Sequence, residues 1–187
     1  DILVTTANNV TFGATVSANN FTQNSAEATG TTTFDGLVTL AGNFDFTGQN
    51  LTVNGVGNNQ VAGNMDVTNA GVFTTAAGAN LVVGGNVTQD GLGANTIGGD
   101  ITADNITFGT GVTLDNAGST IVFSTAAANG NIVLSSTLGN TTDESITFSA
   151  GSGNVNVDGA VTLANVGGVG GDILVTTANN VTFQTTV

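Results

Sequence analysis

The chain has 187 residues, of which 13 are acidic and none is Lys, Arg or His, so its formal net charge at pH 7 is −13. The missing cations exclude the basic surface that nucleic-acid binding needs, and the missing His and Cys exclude the usual zinc ligands, a Cys nucleophile and a Ser-His-Asp triad. No apolar run approaches the roughly 20 residues that a membrane-spanning helix requires.

Apolar–x–apolar triplets recur along the chain and are separated by clusters of Gly and Asn. Period-two alternation over three or four residues, bounded by such clusters, predicts short β-strands joined by turns. In chain order the predicted strands include FTQ at 21–23, FDF at 44–46, LTV at 51–53, a weak VAG at 61–63, MDV at 65–67, VFT at 72–74, LVV at 81–83, VTQ at 87–89, ITF at 106–108, VTL at 112–114, IVF at 121–123, IVL at 132–134, VNV at 155–157 and ILV at 173–175. No apolar stripe follows the 3.6-residue period of a helix, so the sequence predicts an all-β fold.

An Asn or Asp precedes about one triplet in three. These anchor residues lie 18 to 26 residues apart and are Asp1, Asn20, Asn43, Asn64, Asn86, Asn105, Asn131, Asn154 and Asp172. They divide residues 1–171 into eight units of about 21 residues, each with three short strands and three turns. A short strand gains backbone hydrogen bonds on both edges when it stacks on like strands above and below. The pattern therefore predicts a parallel β-helix, or β-solenoid, of about eight coils.

The triplets also predict which side chains face the core. Flanking residues of a triplet point to one side of the strand and the middle residue to the other. The Phe residues that we expect inside are Phe12, Phe44, Phe46, Phe108, Phe123 and Phe148. The Thr residues that we expect to face solvent are Thr107, Thr113 and Thr162, because a β-branched polar residue suits an outward strand position.

We interpret the anchor residues as a structural ladder at one corner of the coils. Asn accepts turn geometry and can bond neighbouring backbone, and like residues stacked in register bond each other. The predicted ladder consists of Asn20, Asn43, Asn64, Asn86, Asn105, Asn131, Asn154 and Asp172. The alternative is a row of glycan attachment sites, since three of these residues stand in N-x-T form, namely Asn20, Asn86 and Asn105.

The chain repeats its own opening. Residues 1–16 and 172–187 match at fourteen of sixteen positions, and the first twelve are identical. We interpret residues 1–171 as one solenoid superrepeat and 172–187 as the start of the next copy, and we expect both segments to occupy the same place on their coils. The chain opens at Asp1 without a signal peptide, so we expect a mature product or part of a longer array. The next copy would continue in the same chain or in a subunit docked end to end.

The units resemble a known family of repeats. Imperfect units of about 20 residues, low in charge and rich in Gly, Asn, Thr and Val, with phrases such as GNVNVDGAVTLANVGG, resemble the haemagglutinin-type repeats of large secreted bacterial adhesins, the filamentous-haemagglutinin-like exoproteins. The resemblance covers nearly the whole chain. It implies a right-handed β-helix rod that is secreted, displayed at the cell surface and involved in adhesion to cells.

Three patterns suggest other functions. GGVGGDILV at 167–175 fits a calcium-binding nonapeptide, but a single copy supplies too few ligands, so we expect no cofactor beyond weak, non-specific Ca²⁺ association. Paired carboxylates of a glycosidase would be Asp143 with Glu144, or Asp100 with Asp104, although TLGNTTDES around the first pair resembles a solvated loop. T-x-T at 31–33 would suit ice binding if it recurred, and elsewhere the outward Thr is usually single.

The sequence thus predicts a structural protein rather than an enzyme. We expect a rigid extracellular rod or filament that belongs to a fibre or giant surface adhesin. The alternative is a binding module whose solenoid face recognises a glycan, ice or a host receptor. Neither nucleic acid nor a membrane span is expected.

Overall fold

The computed structural model describes residues 1–25, 29–165 and 171–184, and all regular structure within them is β-strand. In chain order the strands are β1 (Ile2–Val4), β2 (Val10–Phe12), β3 (Val16–Ala18), β4 (Phe21–Asn24), β5 (Thr31–Phe34), β6 (Val38–Leu40), β7 (Phe44–Gly48), β8 (Asn50–Val53), β9 (Gly57–Val61), β10 (Met65–Asn69), β11 (Phe73–Thr75), β12 (Ala79–Val83), β13 (Val87–Gln89), β14 (Asn95–Ile97), β15 (Ile101–Thr102), β16 (Ile106–Phe108), β17 (Val112–Leu114), β18 (Thr120–Ser124), β19 (Ile132–Leu134), β20 (Leu138–Asn140), β21 (Ser145–Ser149), β22 (Asn154–Val157), β23 (Val161–Thr162), β24 (Ile173–Thr177) and β25 (Asn180–Phe183).

Every third strand joins the same parallel sheet. The first sheet has nine strands in the order β1-β4-β7-β10-β13-β16-β19-β22-β25. The second sheet has eight strands in the order β2-β5-β8-β11-β14-β17-β20-β23, and the third has eight in the order β3-β6-β9-β12-β15-β18-β21-β24. The three sheets enclose one apolar core, so the predicted parallel β-solenoid is confirmed.

The register places equivalent residues of successive units directly above one another. Phe44 lies opposite Met65 in the first sheet, and Ile132 lies opposite Val155. Asn43 and Asn64 immediately precede the first pair, and Asn131 and Asn154 immediately precede the second. The prediction that each Asn pair lies one coil apart is therefore confirmed.

The predicted direction of the side chains is also confirmed. Phe44, Phe46, Phe108, Phe123 and Phe148 are buried, and Phe12 in the first coil is half-buried and packs against the same core. The middle residues behave as expected: Thr162 is exposed, whereas Thr107 and Thr113 are half-exposed between neighbouring outward residues.

Aromatic rings fill two stretches of this core. Near the first coils, Phe12 stacks on Phe34 with 4.8 Å between ring centroids, and Phe21 stacks on Phe44 at 4.8 Å. Further along, Phe123 lies 6.0 Å from Phe108 and 6.2 Å from Phe148. Aromatic pairs in such arrangements contribute about 0.5–1.5 kcal/mol each beyond the area they bury.

Coil corners approach each other too closely for a side chain at several glycines. A Cβ added at Gly130 would lie 1.8 Å from the carbonyl oxygen of Asp104 in the preceding coil. Gly13, in contrast, faces open space. Some glycines are therefore required for coil stacking, whereas others are not.

Two predicted strands are shifted from their positions in the structure. Phe73 and Thr75 of β11 point inward, and Val72 is 40% exposed. The inward and outward residues predicted from the VFT triplet are therefore exchanged. The larger apolar ring occupies the core in preference to the smaller Val. In the weak VAG region the strand is β9, whose inward residues include the polar Asn59.

The prediction for the repeated segment is wrong. Ile2–Val4 belongs to the first sheet, whereas its copy within Ile173–Thr177 belongs to the third sheet and pairs with β21. Val10–Phe12 belongs to the second sheet, whereas its copy within Asn180–Phe183 belongs to the first. Among the described residues, β24 of the third sheet is the next strand after β23 of the second sheet, so the second copy starts one face early.

Candidate functional site

The corner between the third and first sheets carries a ladder of side-chain hydrogen bonds. In most steps the Oδ1 of one Asn accepts the backbone N–H of the Asn one coil further on. The distance is 2.8 Å from Asn43 N to Asn20 Oδ1, and 3.0 Å from Asn86 N to Asn64 Oδ1. The same bond joins Asn64 to Asn43, Asn131 to Asn105 and Asn154 to Asn131. At one step the amide Nδ2 of Asn105 donates to Asn86 Oδ1 instead, at 2.8 Å.

We call this row the asparagine corner. It consists of Asp1, Asn20, Asn43, Asn64, Asn86, Asn105, Asn131, Asn154 and Asn180. Each Asn side chain fixes the path of the next coil at the point where the chain turns from one sheet to the next. The Oδ1 atom of each member except Asn180 accepts a hydrogen bond from the next coil, so the arrangement supports stacking.

One predicted member does not belong to the asparagine corner. Asp172 lies at the start of β24 in the third sheet, where its backbone N–H donates to Ser145 Oγ at 3.1 Å. Asn180 takes its place, and its Nδ2 donates to Asn154 Oδ1 at 3.1 Å. The reason is the same shift of one face that displaces the repeated segment.

The second sheet presents a row of threonines that the sequence analysis missed. Seven of its eight central outward positions are Thr and one is Gly, and cross-strand pairing connects them in one line. We call this the threonine row: Thr11, Thr33, Thr52, Thr74, Thr96, Thr113, Gly139 and Thr162. No strand of the second sheet contains an acidic residue. The row is therefore an uncharged hydroxyl surface on a chain with net charge −13.

The first sheet is chemically different, because it carries acidic residues in its outward row. Asp45 of β7 lies directly opposite Asp66 of β10. Partial burial raises the pKa of the Asp45 carboxyl, and the negative charge of Asp66 raises it further. Like charges in opposing positions destabilise a sheet, so this pair favours a counter-ion or one protonated carboxyl.

Glu144 lies within a loop that the sequence analysis treated as solvated, but its side chain is buried. Its carboxylate accepts hydrogen bonds from the backbone N–H of Gly118 at 3.1 Å and of Thr142 at 2.9 Å, and from Thr142 Oγ1 at 2.8 Å. Burial by itself raises the pKa of this carboxyl, but the hydrogen bonds outweigh burial and lower the pKa from 4.5 to about 2. The charged side chain thus holds two neighbouring corner loops together.

In each candidate glycosidase pair, one carboxylate accepts hydrogen bonds from backbone N–H groups. Glu144 is committed to its loop contacts, while Asp143 beside it is half-buried. Asp100 accepts the backbone N–H of Val122 at 2.8 Å, and Asp104 lies beyond β15 at the next corner. The described residues hold no group of three or more Asp and Glu side chains placed to bind a metal ion. Residues 167–170 of the calcium-type nonapeptide lie outside the described part of the chain.

Polar side chains also occupy the core, and the sequence pattern hid them because they sit in apolar positions of the triplets. Gln89 Nε2 donates to Asn69 Oδ1 at 2.7 Å, and Asn95 Nδ2 donates to Gln89 Oε1 at 3.2 Å and to Thr110 Oγ1 at 3.1 Å. Asn95 Oδ1 is buried and has no hydrogen-bond partner. We call these four residues the polar layer. They link three successive coils at the corner between the first and second sheets.

Comparison with known proteins adds no identity. No protein-family description, curated protein or solved structure matches the chain. Among the residues that the structure describes, no helix is long and apolar enough to cross a membrane.

Proposed function

We propose that this chain is a structural repeat segment of an extracellular fibre or giant surface adhesin, in which it acts as a rigid rod. The observation that carries the proposal is the asparagine corner together with the parallel ladders of all three sheets. Each interior strand is hydrogen-bonded on both edges, and each coil is tied to the next at the same corner. A rod held in this way resists bending and needs neither disulfides nor metal ions.

The surface chemistry supports the same function. All 13 formal charges are negative, so rods repel one another and remain separate unless another component joins them. The likeness of the units to haemagglutinin-type repeats supports secretion and display at the cell surface. Adhesion to other cells is the corresponding proposed role of the complete fibre.

Location and chain length can be tested together in the source cells. Antibodies raised against this chain should label intact cells, and a brief protease treatment of those cells should remove the label. On a denaturing gel the labelled material should migrate far above 18.3 kDa. Label that appears only after the cells are permeabilised would contradict the proposal.

Rigidity can be tested by pulling on single molecules. Extended chain spans at most about 3.3–3.6 Å per residue, so unfolding one superrepeat should release roughly 550 Å of chain. We expect this release to occur in steps at measurable force, as coils separate. Extension without resistance would show that the segment is a flexible linker instead.

The threonine row favours a second candidate function, which is binding to a regular, uncharged surface. Hydroxyl groups on adjacent coils repeat every 4.8 Å or so, which suits a crystalline polysaccharide or ice better than a charged protein. The chain should then co-sediment with insoluble cellulose or chitin, or partition into growing ice. Thr52→Lys on the row should abolish binding, whereas Thr107→Lys on the first sheet should not.

A further inference from the structure

The same twelve residues occur twice within the described chain and lie on different faces. DILVTTANNVTF at 1–12 places its two strands in the first and second sheets. At 172–183 the identical sequence places its strands in the third and first sheets. These twelve residues therefore form the same strands with the same inward residues in both copies, but they do not determine which of the three sheets each strand joins.

The corner residues explain why both placements are stable. In the first copy Asn9 lies between the first and second sheets, and its Oδ1 accepts the backbone N–H of Thr31 at 3.0 Å. In the second copy the equivalent residue, Asn180, lies at the asparagine corner and donates to Asn154 Oδ1 at 3.1 Å. The same Asn serves either corner. Phe12 and Phe183, which are also equivalent, both pack against the core.

The displacement can be counted in strands. β24 comes 23 strands after β1, and three strands complete one turn. The 171 residues from Asp1 to Asp172 therefore cover seven and two-thirds turns. This corresponds to about 22 residues per turn and a rise of about 37 Å at the spacing of stacked strands.

From this count we propose that each successive copy of the 171-residue unit in a tandem chain is rotated by one face relative to the copy before it. The partner that continues the solenoid is thus a second copy of the same unit, seated one-third of a turn out of phase. The proposal rests on the proposed rod function and specifies how the rod presents its surfaces. On the second sheet, the threonine row of one copy is then followed by strands of the next copy that are equivalent to β3, β6 and the other third-sheet strands.

Rotation of the faces has a consequence for binding. Three copies complete 23 turns and return every surface to its starting direction. The uncharged threonine row and the Asp45–Asp66 pair of the first sheet then appear on all sides of the fibre rather than along one side. Such a fibre can contact neighbours in three directions, whereas an in-phase fibre would have one adhesive side.

The absence of native Cys allows a direct test by disulfide formation. In the present chain, Asn156→Cys with Thr182→Cys should form a disulfide rapidly, because these outward residues are paired across β22 and β25. Stacked strands place Cα atoms about 4.8 Å apart, which suits a disulfide. Thr162→Cys with Thr182→Cys is the matched control, because this pair would be adjacent only if the two copies kept the same face.

We expect the first pair to oxidise about tenfold faster than the control pair, as measured by thiol loss and confirmed as intramolecular on a non-reducing gel. Rapid oxidation of the control pair would overturn the proposal, and so would failure of both pairs. Circular dichroism of each variant should remain that of a β-protein, since all three positions are outward.

A chain with two complete units extends the test. Thr162→Cys in the first copy should pair with Ser17→Cys in the second copy, since the equivalent of β3 then stacks on β23. If Thr162→Cys pairs instead with Thr11→Cys of the second copy, the faces remain in phase and the proposal is wrong. Either result leaves the rod function itself intact, because that function is tested separately by cell-surface labelling and by pulling.

Discussion

Replacing Glu144 by Gln should remove an acid-sensitive contribution to stability. The folded pKa of this carboxyl is about 2, against 4.5 for an unperturbed group. Because the folded pKa is depressed, the charged carboxylate stabilises the fold above pH 4.5, and this contribution is lost as the pH falls towards 2.

The magnitude follows from the size of the shift. A shift of one pKa unit corresponds to about 1.4 kcal/mol, so the full contribution of a shift from 4.5 to about 2 would be about 3.5 kcal/mol. The loop is close to solvent, and screening reduces the expected value to about 1–2 kcal/mol. Most of this contribution should disappear between pH 7 and pH 3.

The assay is urea unfolding followed by circular dichroism at pH 7 and pH 3. The wild-type chain should lose about 1 kcal/mol more than Glu144→Gln over this interval. The difference in unfolding free energy between the two chains reports the contribution of Glu144. Both chains gain the same stability as their other carboxylates become protonated and repel one another less. Asp143→Asn is the matched control, since its side chain makes no hydrogen bond to the described residues, and it should follow the wild type. Equal pH dependence of the wild type and Glu144→Gln would refute the reasoning.

Three further substitutions test the core, the corner and the coil spacing by urea unfolding. Phe123→Ala should cost about 3–5 kcal/mol because it empties a site within the aromatic stretch, whereas Val82→Ala on the outer surface should change stability by less than about 0.5 kcal/mol; similar effects would contradict the assigned direction of the side chains. Asn64→Ala should cost about 0.5–1.5 kcal/mol through loss of one corner hydrogen bond, and Asn64→Asp, which keeps the acceptor, should cost less; an equal cost would argue against the ladder. Gly130→Ala should destabilise by several times more than Gly13→Ala, because only the former forces a Cβ into neighbouring backbone; indistinguishable stabilities would show that the coils can separate there without cost.

The sequence predicted the fold because every coil repeats the same local pattern. Alternation within a triplet sets which residues are buried, and the Asn before it sets a corner, so Asn64 could be placed from sequence alone. The alternation did not predict burial correctly where a polar residue occupies a buried position. Gln89 occupies an inward position that usually holds Val or Phe, and Glu144 is buried because backbone N–H groups surround it.

The face of each strand could not be predicted for a different reason. All three faces accept the same triplets, so the face depends only on the lengths of the connections between strands. A connection of variable length, such as 163–172, contains no apolar period that would show where the next strand begins. The threonine row was missed for the same reason, because its members become neighbours only when the pairing of strands is known.

The polar layer bears on how the chain finds its correct register during folding. Coils of nearly equal length and composition can stack with a slip of one whole coil while still burying apolar side chains. Such a slip would separate Gln89 from Asn69 and Asn95 from Thr110, which lie in neighbouring coils. Each buried polar group left without a partner would cost about 1–3 kcal/mol. The layer joins three particular successive coils and so favours the correct stacking over slipped alternatives, as a single buried Asn does in a coiled coil. Replacing all three residues by Leu should therefore leave the rod stable but allow a mixture of registers.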